Sequence, residues 1–455
     1  MPDLIKIAKF GGTSMADAGA MRRCASVAGS DPDKKIIVVS ATSGTTNLLT
    51  RLVTTLSAEE KKRILSQIHE KHISICEELK QPEPTRDLVL GLLDELEKLT
   101  TKNRIITPAF RDEILSFGER LSSALFTQIL KEETGENVEL FDIRKVMITD
   151  KTYGEAVPDT AEIREKADQH FSGKFGSVRF VTQGFIGSDR DGKTTTLGRG
   201  GSDYSAALLA EAVDADVLEI WTDVTAIYTT DPRIVKDARP ITEISFDEAA
   251  ELSVFGAKVL HPATMLPAMR KNIKVYVGSS IHPEQPGTWI VKETKNNPHI
   301  RAVSLRRNQT LVTVHSLDML HRHGFLAQLF RVLSEHRISV DLVTTSEVSV
   351  SLTLDSDVNA TGRNVLTEEI LSELRTFSEV QIEKNLSLIA LVGNNLQATA
   401  GLSGPVFGLL EDVNIRLICH GASSHNLCFL VEEKEAENVV KILHDQFISD
   451  KAYSS

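Results

Sequence analysis

The sequence is poor in the features that mark several large classes of protein. Its only cysteines, Cys24, Cys76, Cys419 and Cys428, show neither metal-ligand spacing nor a disulfide framework, which suits a reducing cytoplasm. The net charge of −12 argues against a broad nucleic-acid-binding surface. No apolar run approaches the length of a membrane span, and the first residues lack the apolar core of a signal peptide. We therefore expect a cytoplasmic protein that binds neither nucleic acid nor membrane.

The rest of the composition is that of a globular protein. With 455 residues, 41% of them hydrophobic and 25% charged, the chain is long enough for two or three domains. Strand-like segments alternate with helical ones, which indicates an α/β sheet. The segments predicted as strands in the N-terminal part are Ile5–Phe10, Lys35–Ser40, Val138–Asp142, Arg179–Ile186 and Ala215–Ile220.

Polar loops follow several of these strands. They read GGTS from Gly11, SATSGTTN from Ser40, and TD at Thr222, and a fourth polar loop, GRGGSD, begins at Gly198. Ligands of α/β sheets bind at the carboxyl ends of the strands. We therefore expect these four loops to share one crevice.

The most informative stretch is Thr194–Asp203, TTTLGRGGSD. Glycines let the backbone approach an anion closely, and the guanidinium of Arg199 fits a carboxylate or phosphate. The run YSAALLAEAV that follows predicts a helix with Ser202 as its N-cap. A glycine-rich loop leading into a helix N-terminus predicts an anion site.

A nearby phosphate-loop pattern is misleading. Gly187–Thr194, GSDRDGKT, fits GxxxxGK[ST], which requires a helix opening at the Lys-Thr. The β-branched residues Thr194–Thr196 that follow favour a strand instead. With Asp191-Gly192 as a turn signal, we predict a β-hairpin.

The C-terminal part contains an internal repeat. Beyond a linker at Glu293–Pro298, the segment Thr310–Ser316 aligns with Ser387–Gly393 at an offset of about 77 residues that is held across the whole unit. Both copies read as strand, loop with glycine, helix, strand, turn, strand. Two small βαββ units beside an enzyme-like domain indicate a ligand-sensing module.

Five motifs in order resemble the aspartate kinase family, and the C-terminal repeat resembles its two ACT domains. Residues 339–354, and the end of the chain soon after the second repeat, resemble the monofunctional, lysine-sensitive class. The five motifs are KFGGTS at Lys9–Ser14, the glycine-loop segment Thr194–Ala212, WTDV at Trp221–Val224, IYTTDPR at Ile227–Arg233 and FGAKVLHPAT at Phe255–Thr264.

The resemblance implies a fold and a division into domains. An α/β, amino-acid-kinase-type parallel-sheet sandwich would span residues 1–293. A regulatory domain of two ACT-like βαββ (α+β) units would span residues 299–455. The first unit would cover about 310–385, and the second about 299–309 plus 386–448.

The implied reaction transfers the γ-phosphoryl group of ATP to the β-carboxylate of L-aspartate, the first step of lysine, threonine and methionine biosynthesis. A side-chain carboxylate, with a pKa near ~3.9, is already ionised at neutral pH. No general base is therefore required. The site must instead hold two anions together and stabilise a charge-spread transition state.

Site residues are carried over by resemblance. Lys9 is the catalytic lysine, and Asp203 orients Lys9 or the metal-bound phosphates. Arg199 clamps the substrate α-carboxylate and Glu119 holds the α-ammonium, although Glu119 on the residues alone is typical of a solvated helix glutamate. The implied substrate-binding residues are Thr46, Glu119, Arg199, Gly200, Gly201 and Ser202. The implied ATP-binding residues are Lys9, Gly11, Gly12, Thr222, Asp223, Tyr228, Arg233, Lys258 and Val259.

The resemblance also implies a cofactor, an effector and an assembly. Mg²⁺ accompanies ATP, without a dedicated protein metal site. L-lysine would bind between ACT-like units of two subunits, so we expect a homodimer, with a tetramer in the presence of lysine as a further expectation. The implied lysine-site residues are Met319, Gly324, Phe325, Leu326, Ser339, Val340, Asp341, Ser346 and Glu347.

Two alternatives stay open. Another amino-acid kinase, acting on acetylglutamate or glutamate, would share the α/β fold, but the RGGSD loop, the TTDPR segment and the ACT-like units argue against it. A lysine-sensing regulatory protein with an inactive kinase domain should have lost Lys9, Arg199 or Asp203, and all three are present. The chain departs from the family at Arg322, where lysine-sensitive relatives carry serine, and at Thr225-Ala226, where a turn with glycine is usual.

Overall fold

The computed structural model describes residues 4–101, 105–256, 262–320, 323–355 and 366–448. The chain forms two compact units. The first comprises Met1–Ile227, Pro240–Ala250 and Lys258–Lys295, and the second comprises Tyr228–Arg239, Glu251–Ala257 and Asn296–Ser455.

The described residues contain both α-helices and strands in each unit. The α-helices are α1 (Ala18–Gly29), α2 (Thr45–Thr54), α3 (Ala58–Glu77), α4 (Thr85–Thr101), α5 (Pro108–Thr134), α6 (Thr160–Phe171), α7 (Gly201–Ala212), α8 (Phe246–Val254), α9 (Pro262–Lys271), α10 (Phe325–Glu335), α11 (Glu368–Arg375), α12 (Ser403–Gly408) and α13 (Glu433–Phe447). Short 3₁₀ turns lie at Thr13–Met15, Ile143–Lys145, Leu317–Leu320 and Leu396–Ala398. In the part of the chain that the structure describes, no helix is long and apolar enough to span a membrane.

The strands alternate with these helices in the first unit and dominate the second. They are β1 (Lys6–Phe10), β2 (Lys34–Val39), β3 (Val138–Phe141), β4 (Ile148–Thr149), β5 (Arg179–Gln183), β6 (Ile186–Asp189), β7 (Thr194–Thr196), β8 (Val217–Thr222), β9 (Glu243–Ser245), β10 (Lys274–Ser279), β11 (Thr288–Val291), β12 (Ile300–His315), β13 (Val343–Thr345), β14 (Ser349–Asp355), β15 (Glu379–Gly393), β16 (Leu417–His420) and β17 (Asn426–Glu432).

The first unit is built on an eight-stranded sheet in the order β3-β5-β2-β1-β8-β10-β11-β9. Every pair in it is parallel except β10 with β11. In the centre, Phe10 of β1 lies opposite Val39 of β2 and Trp221 of β8. The predicted α/β parallel-sheet fold is confirmed.

The central strands β1, β2 and β8 are buried on both faces because helices cover each face. Ala8 and Phe10 of β1 join a buried core with residues of α1 and α5. Successive strand residues point to opposite faces. Lys9, between them, therefore points away from that core, and its ammonium contacts α7 at Asp203.

One predicted strand proved to be two. The segment predicted as a single strand, Arg179–Ile186, breaks between β5 and β6, where Phe185 adopts a φ of 67°. Strand β6 then leaves the large sheet and pairs with β4 and β7 in a separate three-stranded sheet. The periodicity of apolar residues could not reveal this break, because all residues on both sides of it are buried.

The predicted hairpin is confirmed. Strands β6 and β7 pair antiparallel, and Gly192 in the turn has a φ of 78°. Because Thr194–Thr196 is a strand, no helix opens at the Lys-Thr that a phosphate loop would require.

The second unit contains one six-stranded antiparallel sheet in the order β13-β14-β12-β15-β17-β16. Each half has the predicted strand, helix, strand, strand order and ends in one further helix, α11 or α13. Each half also has its own core, with Leu329 and Leu352 central to one, and Leu427 and Leu443 to the other.

Two short segments of the middle of the chain belong to this second unit. Within Tyr228–Arg239, Val235 joins the core that contains Leu443 of α13. The hydroxyl of Thr229 also lies 3.0 Å from His444 Nε2. The division at residues 293 and 299 did not include these segments, and its bounds stay a prediction.

Candidate active site at the carboxyl ends of the central strands

A cavity of about 520 Å³ lies in the first unit. All four polar loops predicted to share a crevice contribute to it, so that prediction is confirmed. The lining residues are Lys9, Gly11, Gly12, Thr13, Ser40, Ala41, Thr42, Ser43, Gly44, Thr46, Glu119, Phe185, Gly198, Gly200, Gly201, Ser202, Asp203, Ile220, Thr222 and Asp223.

Backbone hydrogen bonds hold the strand ends together beneath this cavity. The N–H of Gly11 donates to Trp221 O (3.1 Å), and the N–H of Ser40 donates to Phe10 O (3.1 Å). The N–H of Gly184 donates to Val39 O (2.9 Å). The four central parallel strands therefore end at one level, and their loops open onto the same space.

The glycine loop delivers a helix N-terminus to the cavity. Gly200 adopts a φ of 71°, and α7 begins at Gly201. The predicted N-cap at Ser202 is therefore wrong, because the left-handed glycine starts the helix two residues earlier. The first N–H groups of α7 have no intrahelical acceptors and carry the positive end of the helix dipole. This arrangement suits an anion.

Close packing explains the glycines beside this terminus. A Cβ on Gly201 would lie 2.7 Å from the ring of Phe185, and a Cβ on Gly184 would lie 2.6 Å from the Ser202 side chain. The left-handed turn at Phe185 thus lies directly under the start of α7.

Lys9 is a buried cation at the cavity wall. Only 7% of the residue is exposed, and its ammonium contacts the carboxylate of Asp203 in the first turn of α7. A Cβ on Gly11 would lie 3.6 Å from Lys9 Nζ. The positive charge therefore stands beside both the glycine turn and the helix N-terminus, where an incoming phosphate would need neutralising.

Glu119 is the most unusual group in the cavity. It is 3% exposed, and its Oε1 accepts the N–H of Ala41 at 3.1 Å. Its Oε2 is buried without a hydrogen-bond partner among the described residues. Burial raises the pKa of the carboxyl to about 8. A solvated glutamate, as residue type alone suggested, is excluded, and the carboxylate is instead suited to a cationic ligand.

The loop that reaches Glu119 is held by α3. His72 is fully buried, with Nδ1 2.7 Å from Ile68 O and Nε2 3.1 Å from the hydroxyl of Thr42. A carbonyl oxygen can only accept, so Nδ1 donates, and burial lowers the pKa of the ring to about 4. The neutral ring therefore accepts the hydroxyl proton of Thr42. The Lys71 ammonium also donates to Ser43 O.

A second carboxylate of α5 supports the glycine loop. Asp112 is fully buried, and its Oδ2 accepts the N–H groups of Gly154 and Thr196, each at 2.8 Å. Thr196 ends β7, two residues before Gly198. One helix thus holds the approach to the glycine loop through Asp112 and supplies Glu119 to the cavity two turns later.

Comparison with known proteins identifies the family. Over 442 residues the chain is 50% identical to the lysine-sensitive aspartokinase 3 of Escherichia coli (strain K12), covering 97% of this chain and 98% of that protein. The chain belongs to the aspartokinase family. A model of the amino acid kinase family matches residues 5–279, and a model of the ACT domain matches 312–370 and 389–447.

Solved aspartokinase structures share the fold. The E. coli aspartokinase III complex with aspartate and ADP (R-state) aligns with a TM-score of 0.87 at 49% identity, covering 98% of this chain and 100% of that one. The E. coli complex with lysine and aspartate (T-state) aligns with a TM-score of 0.86, at the same identity and coverage.

Most substrate residues implied by the aspartokinase resemblance come together. Thr46, Glu119, Gly200, Gly201 and Ser202 all line the cavity. Arg199 is exposed and lies between the two lining glycines Gly198 and Gly200 without lining the cavity itself. Its clamping role stays a prediction.

Five of the implied ATP residues line the cavity. They are Lys9, Gly11, Gly12, Thr222 and Asp223, and the Thr222 hydroxyl donates to Asp223 Oδ1 at 3.1 Å.

The remaining implied ATP residues lie elsewhere. Tyr228 and Arg233 belong to the second unit, where Arg233 forms an ion pair with Asp231 at 2.7 Å. Lys258 and Val259 lie outside the described residues, as does Arg322.

The implied lysine-site residues lie in one half of the second unit. Phe325 belongs to its core, with Met319 and Val340 packed against it, whereas Leu326 is 41% exposed. Gly324, with a φ of 87°, starts α10. Exposed polar residues Ser339, Ser346 and Glu347 flank β13, and the N–H of Ser346 donates to Ser349 O at 2.8 Å.

Asp341 of this group already has a cationic neighbour. Its carboxylate lies 3.3 Å from the Arg306 guanidinium. Burial raises the pKa of Asp341, and Arg306 opposes that rise.

Three supporting residues could not be predicted from the sequence. His72, Asp112 and Phe185 belong to no motif, and their roles depend on contacts with residues 20 or more positions away. The one indication in the sequence is Gly184, next to Phe185, because a glycine inside a strand pattern suggests that another part of the backbone approaches closely.

Proposed function

We propose that this chain is a lysine-inhibited aspartate kinase, which converts ATP and L-aspartate to ADP and 4-phospho-L-aspartate. The observation that carries the proposal is the buried, unpartnered Oε2 of Glu119 in a cavity that also contains Lys9 and a helix N-terminus. The family membership of the chain supports the same activity.

Different groups at the cavity suit the α-ammonium and the α-carboxylate of aspartate. Glu119 would receive the α-ammonium of aspartate, because a buried carboxylate is stabilised by a cation within hydrogen-bonding distance. Arg199 and the N–H groups of Gly200, Gly201 and Ser202 would hold the α-carboxylate. The β-carboxylate is then free to attack, and needs no general base because it is already ionised.

Lys9 would stabilise the transferring phosphoryl group. In a loose transition state, charge spreads over the equatorial oxygens, and fixed cations and N–H groups stabilise it. Asp203 would keep the Lys9 ammonium in place until the phosphate arrives, which is supported by their contact.

ATP would be held by Lys9, Gly11, Gly12, Thr222 and Asp223, with Tyr228, Arg233, Lys258 and Val259 as the further residues that the family implies. Mg²⁺ would be carried mainly on the phosphate oxygens, where it neutralises developing charge. Asp203 is the acidic side chain that stands nearest to Lys9 and could contribute a ligand.

The site favours aspartate over acetylglutamate, the substrate of a sister kinase. An N-acetyl group carries no positive charge, so Glu119 would lose the cationic partner whose charge-assisted hydrogen bond contributes about 1.5–3 kcal/mol. The cavity also retains Lys9 and Asp203 in contact, which an inactive sensor would have no reason to keep.

We further propose that lysine binds at the Met319–Glu347 region between two copies of the chain. Five exposed apolar side chains of that half support a homodimer through it, and β13 is an outermost strand. The five are Leu317, Leu320, Leu326, Phe330 and Val343. A tetramer with lysine is the further proposal, and free thiols at all four cysteines support a cytoplasmic location.

The test is acyl phosphate formation from L-aspartate, ATP and Mg²⁺, trapped with hydroxylamine, with and without L-lysine. Aspartyl hydroxamate that falls on addition of lysine is the expected result. Product formed only with glutamate or acetylglutamate would place the chain in a sister family. Absence of product with every substrate, together with retained lysine binding, would favour the inactive sensor.

A further inference from the structure

Two cysteines lie directly opposite each other in the six-stranded sheet. Strands β16 and β17 are antiparallel, and Cys419 is the register partner of Cys428. The Cys428 sulfur lies 3.7 Å from Cys419 O. Antiparallel partners have Cα atoms about 4.5–5.5 Å apart. This range falls within the roughly 4.4–6.8 Å that a disulfide requires.

The two thiols differ in access. Cys419 is half-buried on β16, an outermost strand of the sheet, whereas Cys428 is buried on β17. The Cys428 thiol donates to Cys419 and lowers the pKa of Cys419, while burial and Glu251 oppose that effect. The thiolate is the reactive form of cysteine, so Cys419 is the member of the pair suited to attack an external reagent.

The remaining cysteines are not placed for this chemistry. Cys24 on α1 and Cys76 on α3 are both buried. Burial raises the pKa of Cys24 to about 12 and that of Cys76 to about 11. Both are therefore poor nucleophiles for an external disulfide near neutral pH. The pKa of the Cys428 thiol is also raised, by its hydrogen bond to Cys419 and by burial, so Cys428 is suited to react only with the sulfur of Cys419, its cross-strand partner.

We infer that Cys419 and Cys428 form a reversible thiol–disulfide exchange site for low-molecular-weight disulfides of the glutathione type. The Cys419 thiolate attacks oxidised glutathione, which forms a mixed disulfide and releases one glutathione thiolate. The released glutathione thiolate takes the proton of Cys428, and the Cys428 sulfur attacks the Cys419 sulfur, which releases the second glutathione as a thiolate. Two protein thiols are oxidised, and one glutathione disulfide is reduced to two thiols.

The Cys419–Cys428 disulfide would link the edge strand β16 covalently to β17, next to an existing set of polar contacts. The Ser423 hydroxyl and the Asn426 amide both donate to the Glu251 carboxylate, at 2.5 and 2.7 Å. A cross-strand disulfide at an exposed sheet edge belongs to the accessible and reducible type rather than to the permanent structural type.

The test is mass spectrometry of the full chain after reduction, exposure to oxidised glutathione and alkylation of the remaining thiols. The wild-type chain should yield a Cys419–Cys428 disulfide that dithiothreitol reverses, with Cys24 and Cys76 recovered as free thiols. Cys428→Ser should stop at a glutathione adduct on Cys419, because the second thiol is missing. Cys419→Ser should leave Cys428 unmodified, because that thiol is buried.

Three results would overturn the inference. They are a stable glutathione adduct on Cys419 of the wild-type chain, oxidation of Cys24 or Cys76 before this pair, and no reaction at Cys419 while an unfolded cysteine-containing protein in the same tube is oxidised. A Cys24→Ser/Cys76→Ser variant is the matched control, and it should form the disulfide at the wild-type rate.

Discussion

At the residue scale, the buried carboxylate of Glu119 gives the clearest case of a side chain whose environment determines its role. Its position in SFGERLSS on a helix is typical of a solvated glutamate, and only the family resemblance suggested otherwise. The structure shows it almost fully buried with one oxygen unpartnered. Burial could not be predicted from the sequence because it depends on how the Ala41 loop packs against Gly118, where a Cβ would lie 2.8 Å from that of Ala41.

Burial of Glu119 predicts a specific pH dependence of stability without substrate. Its pKa is raised from 4.5 in the unfolded chain to about 8 in the folded protein. Between these values the folded protein keeps a proton that the unfolded chain has released, so the free energy of unfolding falls as pH rises. The slope should be at most about 1.4 kcal/mol per pH unit.

The measurement is urea unfolding of the wild-type chain and of Glu119→Gln between pH 5 and 8. The variant lacks the titrating group and is the matched control, and other shifted groups such as Asp112 are common to both chains. The wild-type chain should lose stability relative to the variant as pH rises. A constant difference across this range would contradict the buried, protonated carboxyl.

Lys9 carries the second prediction at this scale. Lys9→Ala should nearly abolish turnover while the fold stays intact, because the charge that we propose stabilises the phosphoryl group is lost. Lys6→Ala is the control. Lys6 lies on the same strand, forms an ion pair with Asp31 at 2.6 Å, and does not line the cavity. Steady-state kinetics and circular dichroism of both variants test it. Near-normal turnover in Lys9→Ala would remove this residue from the mechanism.

At the scale of elements, strands were easier to predict than the points at which they turn. Strands β1, β2, β3 and β8 were predicted to within about two residues, because each is a short segment rich in apolar residues that alternates with helical segments. The break at Phe185 and the start of α7 at Gly201 were not predicted. Both depend on left-handed backbone angles, at Phe185 and Gly200. These angles are set by close packing between the turn at Gly184-Phe185 and the start of α7.

Helix α5 is the element that links the two ends of the site. Asp112 and Glu119 are seven residues apart and therefore lie on the same face of the helix. The first accepts two N–H groups on the approach to the glycine loop, and the second faces the cavity. The helix thus sets the distance between the approach to the glycine loop and the Glu119 carboxylate.

Asp112→Ala should lower stability by about 2–5 kcal/mol, because two buried N–H groups lose their acceptor. It should also raise KM for aspartate more than KM for ATP. Asp112→Asn retains an acceptor oxygen and should keep near-normal stability and KM. Urea unfolding and kinetics of the two variants test this. An alanine variant with wild-type stability would contradict the role of Asp112 as acceptor of the two buried N–H groups. An asparagine variant as unstable as the alanine variant would contradict it too.

At the scale of the whole molecule, the repeat was visible in sequence but its packing was not. The offset of about 77 residues predicted two similar units, and the structure joins them in one six-stranded sheet through β12 and β15. The inclusion of Tyr228–Arg239 in the second unit had no sequence signal, because it depends on contacts of Val235 and Thr229 with α13, about 200 residues away.

The proposed inhibition by lysine is tested by substitutions in the second unit. Asp341→Ala should relieve lysine inhibition and leave the uninhibited rate within about twofold, because Asp341 lies outside the catalytic cavity. Glu335→Ala, a change of an exposed carboxylate at the end of α10, is the control and should leave inhibition unchanged. Lysine titrations of hydroxamate formation measure both. Unchanged inhibition in Asp341→Ala would move the effector site elsewhere.

The central claim is that the cavity at the strand ends binds aspartate through Glu119. The most direct measurement compares L-aspartate with succinate, which lacks the α-ammonium, as ligands of the wild-type chain and of Glu119→Gln, by titration calorimetry in the presence of ADP. The wild-type chain should prefer aspartate by roughly 10- to 150-fold, the ratio expected for a charge-assisted hydrogen bond of about 1.5–3 kcal/mol. The variant should bind the two ligands about equally. The same preference for aspartate in both chains would contradict the assignment of Glu119, and with it the orientation of substrate in the site.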